Sequence, residues 1–169
     1  MWNIDDAHTY IDFSIRHILA TSRGTLNSIS GVLDFGNDYH NANIDIVIDV
    51  NSMDTGNEDR DEHLMSDDFF NVEKFPTIHF VSNQIEREAD GYVAVGMLTV
   101  KGVSKKVELK FEYGGNQESP FKKGIFVASL NGAIEINRND FDLDGYPGVL
   151  GDNISIVINS EIDQDRTEK

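Results

Sequence analysis

Apolar and polar residues alternate along most of this sequence, and the alternation restricts the fold more than any other feature. Between residues 9 and 17, Ile11, Phe13 and Ile15 are separated by single polar residues. Side chains on a β-strand point alternately to its two faces, so this pattern predicts a strand with one buried face and one solvated face. The same alternation recurs in three further segments, at residues 42–50, 107–113 and 154–162.

Four more runs are rich in β-branched and aromatic residues and predict strands at residues 24–35, 77–85, 92–100 and 125–137. Turn-forming pairs punctuate these strands, at Asp90–Gly91, Lys101–Gly102 and Gly114–Gly115. Repeated alternation with one wet face is typical of antiparallel sheets, so the sequence predicts an all-β fold of about eight antiparallel strands. Periodicity alone leaves both a sandwich and a closed barrel open.

One segment does not follow the alternation of apolar and polar residues. Residues 58–65 (EDRDEHLM) consist mostly of helix formers, with acidic residues in the first turn, where the helix dipole favours them. We therefore predict a short helical excursion near residues 58–65. The chain has no repeats and no linker, which indicates one domain over residues 1–162 followed by a polar C-terminal tail at 163–169.

Composition excludes several classes of function. Thirty acidic residues against fourteen basic ones give a net charge of −16, which argues against binding to nucleic acid or anionic lipid surfaces. The chain has no cysteine and no apolar run long enough for a transmembrane helix. Its first residues lack the features of a secretory signal, so we expect a cytoplasmic protein, or a periplasmic or secreted one if a signal has been removed.

Metal and catalytic motifs are weak. The acidic stretch at residues 54–61 has Gly56 and Asp59 in the wrong order for a calcium loop, which favours a solvated loop before a capped helix. No nucleophile elbow or phosphate loop is present. The histidines share no tight ligand spacing, and we predict no metal and no cofactor; they are His8, His17, His40, His63 and His79.

Blocks spread over nearly the whole chain resemble the YceI-like family. The most specific one is Thr55-Gly56-Asn57-x-x-Arg60-Asp61-x-His63-Leu64-x-Ser66-x-Asp68-Phe69-Phe70. The others occur in the same order as in the family, at residues 2–17, 75–82, 96–103, 138–141 and 151–154.

The resemblance implies an eight-stranded, lipocalin-like antiparallel barrel whose interior pocket holds a polyisoprenoid or a similar long-chain amphiphile. It implies a non-catalytic binding or carrier protein with a lipid ligand, and it allows a homodimer. Many family members are periplasmic and carry a signal peptide, and the first residues of this sequence do not show the features of one.

The apolar strand faces and the residues beside the helix are then the predicted pocket wall. The predicted ligand-binding residues are Phe13, Ile15, Ile44, Ile46, Ile48, Phe69, Phe70, Phe80, Leu98, Phe111, Leu130 and Ile156. The same side chains could instead fill a collapsed core, and the sequence leaves this alternative open. Arg138 could pair with an acidic residue or meet a polar head group.

Two other functions also stay open. Arg60, Asp61 and His63 could form the polar cluster of an enzyme that acts on a lipid head group. The same residues could be purely structural, through a helix cap and a buried Arg60–Asp61 network. Alternatively, the acidic surface could bind a basic partner.

Overall fold

Ten strands form one continuous antiparallel sheet in the computed structural model, which describes residues 1–35 and 42–166. The strands are β1 (Trp2–His17), β2 (Ala20–Leu26), β3 (Ile29–Asp34), β4 (Asn43–Asp49), β5 (Met53–Asp54), β6 (Thr77–Glu88), β7 (Gly91–Val100), β8 (Val103–Glu118), β9 (Ile125–Asn137) and β10 (Leu150–Asp165). The sheet order is β10-β9-β8-β7-β6-β4-β3-β1-β2-β5, and β10 also pairs with β1.

That last pairing closes the sheet into a barrel. Strand β1 pairs with β10 from Asn3 opposite Asp163 to His17 opposite Leu150. On its other edge β1 pairs with β3 near Trp2 and with β2 from Ile11 onward, so β2 and β3 together occupy one position around the ring. The ring therefore has eight positions, which confirms the predicted eight-stranded antiparallel barrel and excludes the sandwich.

Two local predictions are wrong. The single strand predicted at residues 24–35 is split between β2 and β3, because the backbone N–H of Asn27 donates to Ser52 Oγ (3.0 Å) instead of to a strand neighbour. The Gly114–Gly115 pair lies inside β8 and not in a turn. The register shifts between Tyr113 and Asn116, so the two glycines form a bulge that bends the strand within the sheet.

The predicted helix is confirmed as α1 (Glu58–Met65). Asn57 caps it, since its Oδ1 accepts a hydrogen bond from the backbone N–H of Arg60 (2.9 Å). A 3₁₀ turn at 138–141 continues the chain beyond β9. Strand β10 runs to Asp165, so the first three residues of the predicted tail belong to the sheet, while residues 167–169 lie outside the described part.

The barrel has two different ends. The helix end is formed by α1, the β1–β2 hairpin and the segment 138–150. At the opposite end, which we call the Trp2 end, the Arg166 guanidinium lies over the Phe126 ring (4.1 Å to the centroid) and near the Trp2 ring (5.5 Å). Within residues 1–35 and 42–166, no helix is both long and apolar enough to span a lipid bilayer.

Strand β3 lies very close to strand β4 at Gly31, and a substitution there tests this close approach. A Cβ added at Gly31 would collide with the carbonyl oxygen of Asp45 and lie 2.9 Å from Ile46 Cα, and both of these are backbone atoms. Because backbone cannot yield cheaply, we expect Gly31→Ala to lower the free energy of unfolding by about 1–3 kcal/mol in urea denaturation. Ser30→Ala, at the exposed neighbouring position, should change it by less than about 0.5 kcal/mol. Equal stability of the two variants would contradict the predicted clash.

Candidate functional site

The barrel encloses an apolar cavity of about 540 Å³. Its wall is built from the inward positions of the strands, such as Ile44, Ile46 and Ile48 on β4 and Ile134 and Ile136 on β9. The volume lies in the range of pockets that take small organic ligands. Because apolar residues alternate with polar ones, each strand has one apolar face. When the sheet closes into a barrel, these faces together form a continuous apolar lining.

Every predicted ligand-binding residue lines this cavity. They are Phe13, Ile15, Ile44, Ile46, Ile48, Phe69, Phe70, Phe80, Leu98, Phe111, Leu130 and Ile156. The barrel interior is hollow between them rather than filled, and their contact with a ligand stays a prediction. The sequence prediction omitted Ile134 and Ile136, although both share the parity of Leu130 along β9.

The polar residues beside α1 have separate partners. Arg60 donates from Nε to Thr55 Oγ1 (2.7 Å), and Thr55 Oγ1 donates to Asp61 Oδ1 (2.5 Å). Arg60 is exposed and its link to Asp61 runs through Thr55, so the predicted buried Arg60–Asp61 network is wrong. His63 Nε2 instead bonds to Asp68 Oδ2 (3.1 Å). Arg60 and His63 line the cavity, and Asp61 does not, so the three side chains do not form one catalytic group.

An aromatic cluster forms the cavity wall at the helix end. The buried Phe69 ring stacks on Tyr146 (centroids 5.8 Å apart, planes at 9°). The His63 ring meets both edge-on, at 5.3 Å from Phe69 and 5.7 Å from Tyr146. Tyr146 and Val149 line the cavity and are also exposed, so the cavity reaches the surface at this end. We call this region the mouth.

Arg138 also lines the cavity, and it is only 2% exposed. Its Nε donates to the Gly151 carbonyl (2.8 Å), and its Nη1 donates to the carbonyls of Gly145 (2.7 Å) and Leu143. The described residues therefore give Arg138 backbone partners, and not the acidic partner that the sequence left open.

A group with metal-ligating atoms lies outside the cavity. One atom each of Asp5, His8 and Glu161 falls within 4.8 Å of the others, and His8 Nδ1 bonds to Asp5 Oδ2 (2.8 Å). His8 is exposed, and no further feature of this group points to an ion. Of the other histidines, His17 lines the cavity, while His40 lies outside the described residues.

Residues 2–162 match the YceI-like domain, which is more than nine-tenths of the sequence. The chain belongs to the YceI-like family. A UPF0312 protein of Yersinia enterocolitica is 32% identical to this YceI-like protein over 156 residues, covering 91% of this chain and 80% of that protein. A UPF0312 protein of Yersinia pestis is 31% identical over the same length.

Solved structures share the fold. The YCEI protein of Campylobacter jejuni is 29% identical with a TM-score of 0.77, over 87% of each chain. BcnA of Burkholderia cenocepacia has a TM-score of 0.83 at 20% identity, over 94% of this chain and 98% of BcnA. A polyisoprenoid-binding domain of Saccharophagus degradans has a TM-score of 0.65 at 14% identity, over 95% of this chain and 97% of that domain. At such identities the last two show the fold alone.

His8 of this YceI-like protein should have a pKa above that of an ordinary histidine. Its hydrogen bond to Asp5 and the charge of Asp5, followed by that of Glu161, raise its pKa above the ordinary value near 6.5. A raised pKa in the folded state means that the pair stabilises the fold at pH below the ordinary value and loses this effect as pH rises through the folded pKa. We expect ¹H NMR titration to give a pKa above 6.5 for His8, and Asp5→Asn to lower it.

Asp12→Asn is the control for that titration, because it removes an exposed carboxylate of β1 that has no bond to His8. It should leave most of the elevation in place. A His8 pKa at or below the ordinary value in the unmodified protein would contradict the pairing with Asp5.

Proposed function

We propose that this protein is a non-catalytic carrier that holds a polyisoprenoid or a similar long-chain amphiphile inside its barrel. The observation that carries the proposal is the hollow, apolar interior of a YceI-like barrel. The likeness to a polyisoprenoid-binding domain of Saccharophagus degradans supports the same class of ligand.

Apolar burial supplies enough free energy for such a ligand. Each buried methylene contributes about 0.8 kcal/mol, so a five-carbon isoprene unit contributes roughly 4 kcal/mol before the entropy cost of binding. A few units suffice for useful affinity, and binding by this route requires no cofactor. The wall supports this mode, since its strand positions are mainly isoleucine, leucine and phenylalanine.

The polar residues beside α1 favour binding over catalysis. Asp61 is engaged by Thr55 and does not line the cavity, and Arg60 donates to Thr55. The predicted polar cluster therefore does not converge on one substrate position, as joint catalysis would require. The Thr55 bonds instead hold the start of α1 against β5, which supports a structural role for Arg60 and Asp61.

Mass spectrometry of freshly purified full-length protein tests the proposal. Under native conditions we expect an added mass in near-stoichiometric amount, because release would return the apolar chain of the ligand to water. The added mass should disappear on denaturation, and the organic extract should contain a long-chain amphiphile. Protein that carries no added mass and takes up no geranylgeraniol on incubation would refute the carrier function.

A bulky side chain inside the cavity should block uptake. Ile134 and Ala133 are neighbours on β9, but Ile134 lines the cavity while Ala133 is exposed. We expect Ile134→Trp to weaken geranylgeraniol binding at least about tenfold, equivalent to about 1.4 kcal/mol. Ala133→Trp adds the same indole outside and should change binding less than about threefold, or about 0.7 kcal/mol.

Fluorescence titration measures both affinities, and circular dichroism checks that each variant keeps its β-sheet. Equal affinities for two folded variants would mean that the ligand binds outside the barrel.

A further inference from the structure

The charged side chains that line the cavity are all basic. Arg23, Arg60 and Arg138 line it, and among the described residues no aspartate or glutamate does. This is the reverse of the whole sequence, where acidic residues outnumber basic ones by thirty to fourteen. Arg23 is exposed and, by alternation, lies on the face of β2 opposite to Gly24, so it contributes only at the rim. Arg138 and Arg60 carry the argument.

Arg138 continues the inward face of β9. Leu130, Gly132, Ile134 and Ile136 occupy alternate positions that line the cavity, and Arg138 is the next position in that series. The 3₁₀ turn that begins at Arg138 keeps the residue in phase with the strand before it. The guanidinium group of Arg138 therefore lies next to the apolar part of the cavity wall.

The hydrogen bonds of Arg138 leave one end of its guanidinium group without a partner. Nε donates one bond and Nη1 donates two, all to backbone carbonyls of Leu143, Gly145 and Gly151. Nη2 makes no hydrogen bond to any described residue. No buried side-chain nitrogen or oxygen lacks a partner in the described ranges, so Nη2 must reach open space. Arg138 is 2% exposed and lines the cavity, so we infer that this space is the cavity.

The charge of Arg138 is also unmatched. Carbonyl dipoles orient the group but supply no negative charge, and no carboxylate forms an ion pair with it within the described residues. Burial of a cation without a counter-ion is costly, and buried charges in proteins are normally paired. Guanidinium binds carboxylates and phosphates especially well, because its N–H groups match their oxygen geometry.

A chain of contacts joins Arg138 to the mouth. Its Nη1 holds the Gly145 carbonyl, and a Cβ at Gly145 would lie 3.3 Å from the Phe69 ring. Phe69 contacts His63, which is three residues from Arg60 on α1 and so on the same side of the helix. Both cations therefore lie at the helix end, and the wall toward the Trp2 end is apolar apart from Ser160.

We propose that Arg138 binds the anionic head group of the amphiphile, a carboxylate or a phosphate, through Nη2. The inference rests on the proposed carrier function and adds the charge and the orientation of the ligand. The head lies at the helix end, where Arg60 adds a second positive charge, and the tail extends toward the Trp2 end. The opposing account is that Arg138 only clamps the segment 143–151 through its three carbonyl bonds.

Three ligands with one tail test this without altering the protein. Hexadecan-1-ol, hexadecanoate and hexadecyl phosphate are titrated into delipidated full-length protein at pH 8, where the acid is ionised. We expect at least one anion to bind about tenfold or more tightly than the alcohol, and the stronger anion identifies the head-group class. Equal affinities, or preference for the alcohol, would overturn head-group recognition and leave the carrier function standing. Binding of none of the three would overturn both.

A substitution at Arg138 tests whether this residue causes the preference for the anionic ligands. Arg138→Gln should bring the ratio of anion affinity to alcohol affinity close to one, whereas Arg87→Gln, at an exposed position on β6, should keep the wild-type ratio. The ratio is informative because a clamp for residues 143–151 would affect both ligands alike. An unchanged ratio in Arg138→Gln would assign the preference elsewhere and refute the role of Arg138. If Arg138→Gln fails to fold, the wild-type comparison still decides whether the cavity prefers an anionic head group.

Discussion

The pairing of β1 with β10 is the interaction on which the rest of the molecule depends. It joins the first and last strands of the sheet by backbone hydrogen bonds, so the sheet wraps around its own apolar face. An open sheet of the same strands would have to cover that face with another layer. After closure, the free edge of the sheet lies at β2 and β5. The closed barrel also surrounds a space that the side chains of its wall do not fill.

Much of this architecture is encoded locally and could be predicted. The alternation of Ile44, Ile46 and Ile48 fixes which side of β4 faces inward, and Asn57 fixes where α1 begins. The hollow interior could not be derived from alternation, because a strand looks the same in a barrel and in a sandwich. The resemblance to a known family supplied that choice, and the closed register then confirmed it.

The features that sequence reasoning missed depend on contacts that the residue pattern of a single strand or helix does not encode. The break at Asn27 requires Ser52, twenty-five residues later. The link between Arg60 and Asp61 requires Thr55, which precedes the helix. The partners of Arg138 are carbonyls of a loop, and backbone acceptors leave no trace in residue type. Parity along β9 was the one available signal that Arg138 faces inward.

Methyl NMR tests most directly whether a long chain occupies the barrel. With geranylgeraniol bound, we predict intermolecular NOEs to the δ1 methyl groups of Ile46 and Ile156, which line the cavity, and none to the exposed methyl groups of Val157 on the same strand as Ile156. NOEs confined to Val157 and other exposed side chains, with the inward isoleucine methyl groups unaffected, would contradict the account.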